Sequence, residues 1–194
     1  MTAWEPIGMD GTLYRALPLA SRIAIAALPF LGYRYDEQRP GVPYLSGSMP
    51  PARAELPRKT ACSTFTAALL MAVYPDAPWT LREYGDLQSF RDRFDVGGFP
   101  LGDAPIAAVE RMCVGMQVDR FMAGSWHLVQ GWRRPNPPGG GGHAFLVYAE
   151  DHHLMVLEAS GTGTSGIGPQ FTRKVEEDLH SRYALVHIAR LADG

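Results

Sequence analysis

Cysteine, excess basic charge and long apolar runs are all scarce in this sequence of 194 residues. Two cysteines, Cys62 and Cys113, are too few for a disulfide scaffold, so burial of apolar side chains, 46% of the residues, must stabilise the fold. The net charge is -2 and the lysines and arginines are scattered, so we expect no nucleic acid partner. The composition predicts one domain over residues 1–194.

No segment has the character of a membrane span or an export signal. The most apolar run, residues 23–31, is too short to cross a bilayer and is interrupted by Pro29. The first fifteen residues lack a basic segment followed by an apolar core. We therefore expect no signal peptide, no integral membrane segment, and synthesis in the cytoplasm.

The spacing of apolar residues changes along the chain from a helical to a strand-like period. Residues 17–31 and 62–74 have the helical period, and two further helical patterns predict a helical insertion at about 76–122. Beyond Gly124, four short runs rich in Val, Leu and aromatic residues predict strands, at 126–132, 143–150, 154–160 and 183–191. Helices followed by an antiparallel sheet predict an α+β domain.

Cys62 stands at the predicted start of a helix, where two interpretations compete. Taken alone, a cysteine in an alanine-rich helix is most often a small core residue. At a helix N-terminus, however, the free N–H groups and the helix dipole favour a thiolate, and the same N–H groups can donate to an oxyanion. Cys113 has no comparable neighbours and is predicted to be a core residue.

A nucleophilic cysteine needs a base, and His143 is the strongest candidate because it begins a strand directly after four glycines. Glu158 on the next strand could fix the tautomer of the imidazole. If Asp151 and His152 form a two-residue turn, Glu158 shares a sheet face with His143 as its diagonal neighbour. A three-residue loop would turn Glu158 away and leave Ser160 or a backbone carbonyl as the orienting group, unless a bulge restored the register.

A metal site near this turn is a weaker hypothesis. Asp151, His152, His153 and Glu158 are close in sequence, but adjacent histidines of a strand point to opposite faces. No second Cys or His cluster completes a tetrahedral shell, so we expect no metal. The glycine run 139–142 leads into a strand rather than a helix and therefore does not match a phosphate loop.

The segments GVPYLSGS, ACSTF, GHAFLVY and VLEAS occur in this order between residues 41 and 160. Their order and spacing resemble the motifs of the NlpC-type papain-like cysteine peptidases, bacterial enzymes that cleave peptidoglycan stem peptides. The resemblance implies a papain-like core whose nucleophile helix packs on a C-terminal antiparallel sheet, with Cys62 as nucleophile, His143 as base and Glu158 as third member. It also implies that Tyr44 lies over the site and that Ser63 contacts the amino group of the substrate.

The same resemblance implies a cysteine peptidase or amidase that hydrolyses peptidoglycan stem or cross-bridge peptides through a thioester, without a cofactor. Ala61 stands where the family usually has an acidic residue before the cysteine, which leaves the scissile bond open. The alternatives are an amidase, deamidase or acyltransferase on a non-wall substrate, or a catalytically inactive binding module.

The substrate and the expected place of synthesis differ, because peptidoglycan lies outside the cytoplasm. Delivery by a secretion system or release by lysis would resolve this difference, and so would a different start site that restores a signal peptide. We favour an antibacterial effector acting in the periplasm or cell wall, with an immunity protein that protects the producer as its partner.

Overall fold

The computed structural model describes residues 11–35, 59–60, 62–74, 76–77, 109–110, 112–132, 142–160 and 170–193. Four α-helices and one short 3-10 helix (Leu28–Phe30) lie wholly within these ranges, the α-helices being α1 Gly11–Arg15, α2 Leu19–Ala27, α3 Cys62–Val73 and α4 Glu176–Arg182. Residues 109–110 are also helical. The strands are β1 Arg34–Tyr35, β2 Lys59–Thr60, β3 Gly115–Val118, β4 Trp126–Trp132, β5 Gly142–Ala149, β6 Leu154–Glu158, β7 Gln170–Lys174 and β8 Leu185–Leu191.

Six of the strands form one antiparallel sheet in the order β3-β8-β4-β5-β6-β7. The central strand β4 is buried at all seven positions, which explains why its sequence is mostly apolar rather than alternating, with His127 and Gln130 as its buried polar residues. The short strands β1 and β2 pair in parallel just before α3 begins. This mixture of helices and antiparallel sheet confirms the predicted α+β class.

Both faces of the sheet are covered. Neighbouring strand residues point to opposite faces, and Leu128 and Val129 of β4 accordingly belong to two different clusters of buried side chains. The first cluster joins α2 and α3 to the sheet and includes Phe65 and Leu69, both fully buried. The second includes Leu179 of α4. The sheet therefore lies between α3 on one side and α4 on the other.

The sequence predicted the long elements but missed six short ones. Helices α2 and α3 and strands β4, β5, β6 and β8 lie where the periodicity indicated. Helices α1 and α4 and strands β1, β2, β3 and β7 were not predicted. Strand β3 falls inside the region 76–122 that was expected to be a helical insertion. A Cβ atom on Gly115 would lie 2.8 Å from the carbonyl oxygen of Arg190, so this glycine allows β3 to approach β8 closely.

Two further expectations concern the same region and the membrane. Cys113 was predicted to be a core residue, but it is exposed, at a positive φ of 58°, in the turn that precedes β3. Residues 78–108, most of the predicted insertion, lie outside the described part of the chain. Among the helices that the structure describes, none is both long and apolar enough to cross a bilayer.

Candidate active site

Cys62 is the first residue of α3, as its sequence position predicted. Cys62 is buried, with only 6% of the residue exposed. The unpaired N–H groups of the first helical turn and the positive end of the helix dipole lie at this position. Thr66, one turn later on the same helix face, donates a hydrogen bond of 3.1 Å to the carbonyl oxygen of Ala144 in β5. This bond attaches the reactive end of α3 to the strand that carries His143.

His143 lies near the start of β5, and its ring is supported by aromatic side chains. The ring centroid is 5.1 Å from that of Phe145 and 6.4 Å from that of Tyr183, which lies nearly parallel to the imidazole. Gly131 pairs with His143 across β4 and β5, and a Cβ atom there would come within 2.6 Å of the Tyr183 ring. The absence of a side chain at Gly131 therefore makes room for the ring that stacks on His143.

The β5–β6 hairpin has the two-residue turn, the first of the two registers that the sequence left open. The amide of Glu150 donates a 2.8 Å hydrogen bond to the carbonyl of His153, and Leu146 pairs with Leu157. Glu158 consequently shares a sheet face with His143. Its Oε2 atom lies 2.6 Å from Nε2 of His143, and both side chains are less than one-tenth exposed. Because Nε2 faces the carboxylate, Nδ1 is the nitrogen left for Cys62.

The other oxygen of Glu158 is held by strand β7, which the sequence did not predict. Nζ of Lys174 lies 2.7 Å from Oε1, and the hydroxyl of Thr172 donates to the same oxygen at 3.5 Å. The only sequence signal for these residues was their alternation, Thr172 and Lys174 being two positions apart on a short polar strand. The Lys174 ammonium offsets the negative charge that Glu158 brings to the site.

The ionisable groups of Cys62, His143 and Glu158 shift one another in a consistent direction. Burial raises the pKa of the Cys62 thiol, but hydrogen bonds from His143 and the Ala144 backbone outweigh it and lower the pKa overall. Burial lowers the pKa of His143, and its bonds to Cys62 and Glu158 reverse that effect and raise it. These opposite shifts favour a thiolate beside an imidazolium.

The pKa of Glu158 moves the other way from that of an unpaired buried acid. Burial raises it, while the hydrogen bonds and positive charges of His143 and Lys174 lower it to about 2. The carboxylate therefore stays charged at any pH where the protein is expected to act, and it keeps accepting the Nε2 proton of His143.

Tyr35 is a tyrosine that the structure brings to the Cys62 thiol. Its hydroxyl donates towards Sγ of Cys62 over 4.0 Å, and this contact contributes to the lowered pKa of the thiol. Tyr44, predicted to lie over the site, is outside the described residues, as is the side chain of Ser63, the second residue of α3. The parallel pairing of β1 with β2 brings Tyr35 here, and sequence periodicity carries no signal for that.

The arrangement has the parts that acyl transfer to a cysteine requires: a thiol whose pKa is lowered, an imidazole beside it, a carboxylate bound to that imidazole, and a helix N-terminus that can donate to an oxyanion. No group of three or more His, Cys, Asp or Glu side chains within the described ranges could hold a metal ion. No protein-family model matches this chain, and no curated protein matches it significantly.

Proposed function

We propose that the protein is a cysteine peptidase or amidase that hydrolyses peptidoglycan stem or cross-bridge peptides. The observation that carries the proposal is the buried series in which Cys62, at a helix N-terminus, interacts electrostatically with His143, and His143 bonds at 2.6 Å to Glu158. A cysteine that only fills space has no need of a buried imidazole and carboxylate, which are costly to desolvate. Such pairs of oppositely shifted groups are typical of functional sites.

The reaction follows from the positions of these atoms. The Cys62 thiolate attacks the carbonyl carbon of an amide, and backbone N–H groups at the start of α3 donate to the oxyanion that forms. The imidazolium of His143 gives its proton to the leaving amine, which departs and leaves a thioester. His143 then takes a proton from water, the resulting hydroxide attacks the thioester, and the acid product and the thiol are released.

Glu158 keeps its charge through this cycle and holds the imidazole in one orientation. With Oε2 bound to Nε2, the proton that moves in catalysis is the one on Nδ1. The pairing of an α3 nucleophile with a β5 base on a neighbouring antiparallel sheet is compatible with a papain-like core. No cofactor takes part in this scheme.

We infer a peptidoglycan substrate from the four ordered sequence motifs. We infer delivery out of the producing cell from the location of that substrate. We assign Tyr44 and Ser63 to substrate binding by the same resemblance. An effector delivered by a secretion system or released by lysis would meet peptidoglycan outside the cell that makes it, and an immunity protein would then protect the producer.

Digestion of purified peptidoglycan tests the proposal directly. Wild type should release peptide fragments whose masses identify the broken amide bond, and Cys62→Ala should release none. Cys113→Ser, which alters the exposed second cysteine, is the matched control and should digest as wild type does. Equal digestion by Cys62→Ala and wild type would remove Cys62 as the nucleophile.

Alkylation by iodoacetamide separates the alternatives if no fragments appear. A Cys62 that reacts rapidly near neutral pH in a Cys113→Ser chain, without wall digestion, would favour an amidase, deamidase or acyltransferase on another substrate. The Cys113→Ser background is needed because Cys113 is exposed. A Cys62 that reacts no faster than a free thiol would favour the inactive binding module.

A further inference from the structure

Glu158 has two buried oxygens with different partners. Oε2 faces His143 at 2.6 Å, and Oε1 faces Nζ of Lys174 at 2.7 Å. The Glu158 side chain is 4% exposed and that of Lys174 is 19% exposed, so this ion pair is largely removed from water. Such a pair is costly to break, because loss of one partner leaves the other charge buried alone.

The Lys174 side chain extends along the sheet to reach Glu158. On β7 it pairs with Leu154, four residues before Glu158 along β6, while Gln170 is the residue paired with Glu158. The lysine side chain must therefore run along the sheet, past Thr172, to meet the carboxylate. Its neighbour Arg173 points to the other face and makes an exposed 3.5 Å ion pair with Glu150. Of these two basic residues, only Lys174 reaches the site.

Lys174 also completes the charge balance of the site. A thiolate at Cys62, an imidazolium at His143, a carboxylate at Glu158 and an ammonium at Lys174 alternate in sign and sum to zero. Without the ammonium, the three remaining groups would leave one buried negative charge in excess, and proton uptake would be the easiest way to remove it.

We propose that Lys174 is a positioning residue of this site: it binds Oε1 of Glu158 so that Oε2 stays turned to His143 and the carboxylate stays ionised. The inference rests on the proposed function, and it names a fourth residue that acts through Glu158 without touching substrate. Ionised Glu158 in turn keeps the His143 imidazolium available to the Cys62 thiolate.

The test compares three substitutions, all in a Cys113→Ser chain. Lys174→Met keeps most of the side-chain length and removes the charge, Lys174→Arg restores a cation, and Arg173→Met removes the neighbouring exposed charge as the matched control. Lys174→Gln, which keeps a hydrogen-bond donor, replaces Lys174→Met if that variant does not fold. Circular dichroism establishes folding of each variant.

Two readouts follow, and the first does not depend on catalysis. Carbon-13 NMR titration of the Glu158 carboxyl should show protonation at higher pH in Lys174→Met, a return towards wild type in Lys174→Arg, and no change in Arg173→Met. The pH profile of Cys62 alkylation by iodoacetamide should lose its acid end in the same order, with the rate at mildly acidic pH falling about tenfold in Lys174→Met.

An unchanged Glu158 titration in Lys174→Met would overturn the proposal, even if the melting temperature fell, because that pattern describes a lysine that only stabilises the fold. A Cys62 that is not a nucleophile, one way in which the proposed function fails, would look different. Cys62 of the Cys113→Ser chain would then alkylate no faster than a free thiol, while the Glu158 titration would still decide whether Lys174 holds the carboxylate.

Discussion

Helix α3 has a buried polar cluster at each end, and the two clusters are built differently. At its C-terminal end, Nη1 of Arg22 donates to the carbonyl of Val73 at 2.9 Å, and the Tyr14 hydroxyl donates to that of Ala72 at 3.2 Å. Just after β8, the carbonyl of Asp193 accepts a hydrogen bond from Nη2 of Arg22, and the carbonyl of Ala192 accepts one from the Tyr74 hydroxyl. We call Arg22, Tyr14 and Tyr74 the Arg22 cluster.

The Cys62 cluster at the N-terminal end consists of Cys62, His143, Glu158 and Lys174. Here side chains bind one another, and each partner can gain or lose a proton. The Arg22 cluster instead binds backbone carbonyls, which do not gain or lose a proton. Burial raises the pKa of Tyr14 to about 12, so its proton stays in place. Buried polar side chains that bind the backbone therefore stabilise the fold. Buried titratable side chains that bind one another shift one another's pKa values, which can make one of them reactive.

Replacing His143 should have the largest effect and should separate the two clusters. We expect His143→Gln to lower the hydrolysis rate by about 10³-fold, the range typical of a lost general acid and base. Stability should change little, because Glu158 keeps Lys174 as its partner. Fragment release from peptidoglycan and the urea midpoint measure the two quantities. A His143→Gln protein with wild-type rate would contradict the assigned base.

Replacing Arg22 should do the reverse. Arg22→Met leaves the carbonyls of Val73 and Asp193 without this donor, and we expect a loss of about 2–4 kcal/mol in the free energy of unfolding. Cys62 alkylation in the folded protein should keep its wild-type pH profile. Arg15→Met breaks only the exposed Arg15–Asp76 pair and should cost less than about 1 kcal/mol. Equal losses in urea titrations of both variants would dispute the role of the cluster.

Gly131→Ala should disturb the stacking of the Tyr183 ring on the His143 imidazole. A Cβ atom 2.6 Å from the Tyr183 ring forces the ring to move, at a cost of about 1–3 kcal/mol, and the imidazole loses its stacked neighbour. Both the melting temperature and the Cys62 alkylation rate should fall. Gly124→Ala is the control. The φ of +77° at this position strains an alanine, but a Cβ atom there meets no other residue within 4 Å except its chain neighbours. The melting temperature should therefore fall while the Cys62 alkylation rate stays the same. An unchanged alkylation rate in Gly131→Ala would separate Tyr183 from the site.

Acid should weaken the fold through Glu158. Its pKa falls from an ordinary 4.5 to about 2 on folding, so the stability it contributes is complete above pH 4.5 and is lost as the pH falls towards 2. In Glu158→Gln the free energy of unfolding should therefore decline less between pH 4.5 and 2. Urea titrations across this interval measure the difference, and parallel declines would contradict the lowered pKa.

Tyr35→Phe should have the smallest effect. It removes a hydroxyl 4.0 Å from Sγ of Cys62, a long contact that makes a minor contribution to the lowered pKa of the thiol. We expect the acid end of the alkylation profile to move slightly to higher pH, and the rate on the plateau to stay within about threefold. Tyr33→Phe, two residues earlier, is the matched control. A loss as large as that of His143→Gln would instead make Tyr35 part of the chemistry.

The buried elements could be predicted from sequence because their own residues carry the signal. Helix α3 shows its apolar period over twelve residues, and the Asp151-His152 turn sets the register that brings Glu158 to His143. Strands β3 and β7 lie at the two edges of the sheet and consist of partly buried and exposed residues, so they lack a buried apolar run. Lys174 was missed with β7.

The positions of two residues, Tyr35 and Cys113, had no local signal in the sequence. The approach of Tyr35 to Cys62 spans 27 residues and depends on the β1–β2 pairing. Cys113 was expected in the core because cysteine is usually buried, and its left-handed backbone in an exposed turn overrides that tendency. Long-range pairing and turn geometry, rather than composition, decide where both residues lie.

The position of Lys174 on an edge strand links the charge state of the Cys62 cluster to local opening of the molecule. Edge strands are held by one neighbour and can detach while the central strands stay folded. Detachment of β7 would release Lys174 from Glu158 and leave the carboxylate with His143 alone. Loss of the Cys62 thiolate and His143 imidazolium would then require less free energy than global unfolding. A chain still emerging from the ribosome would not form this pair until β7 had paired with β6.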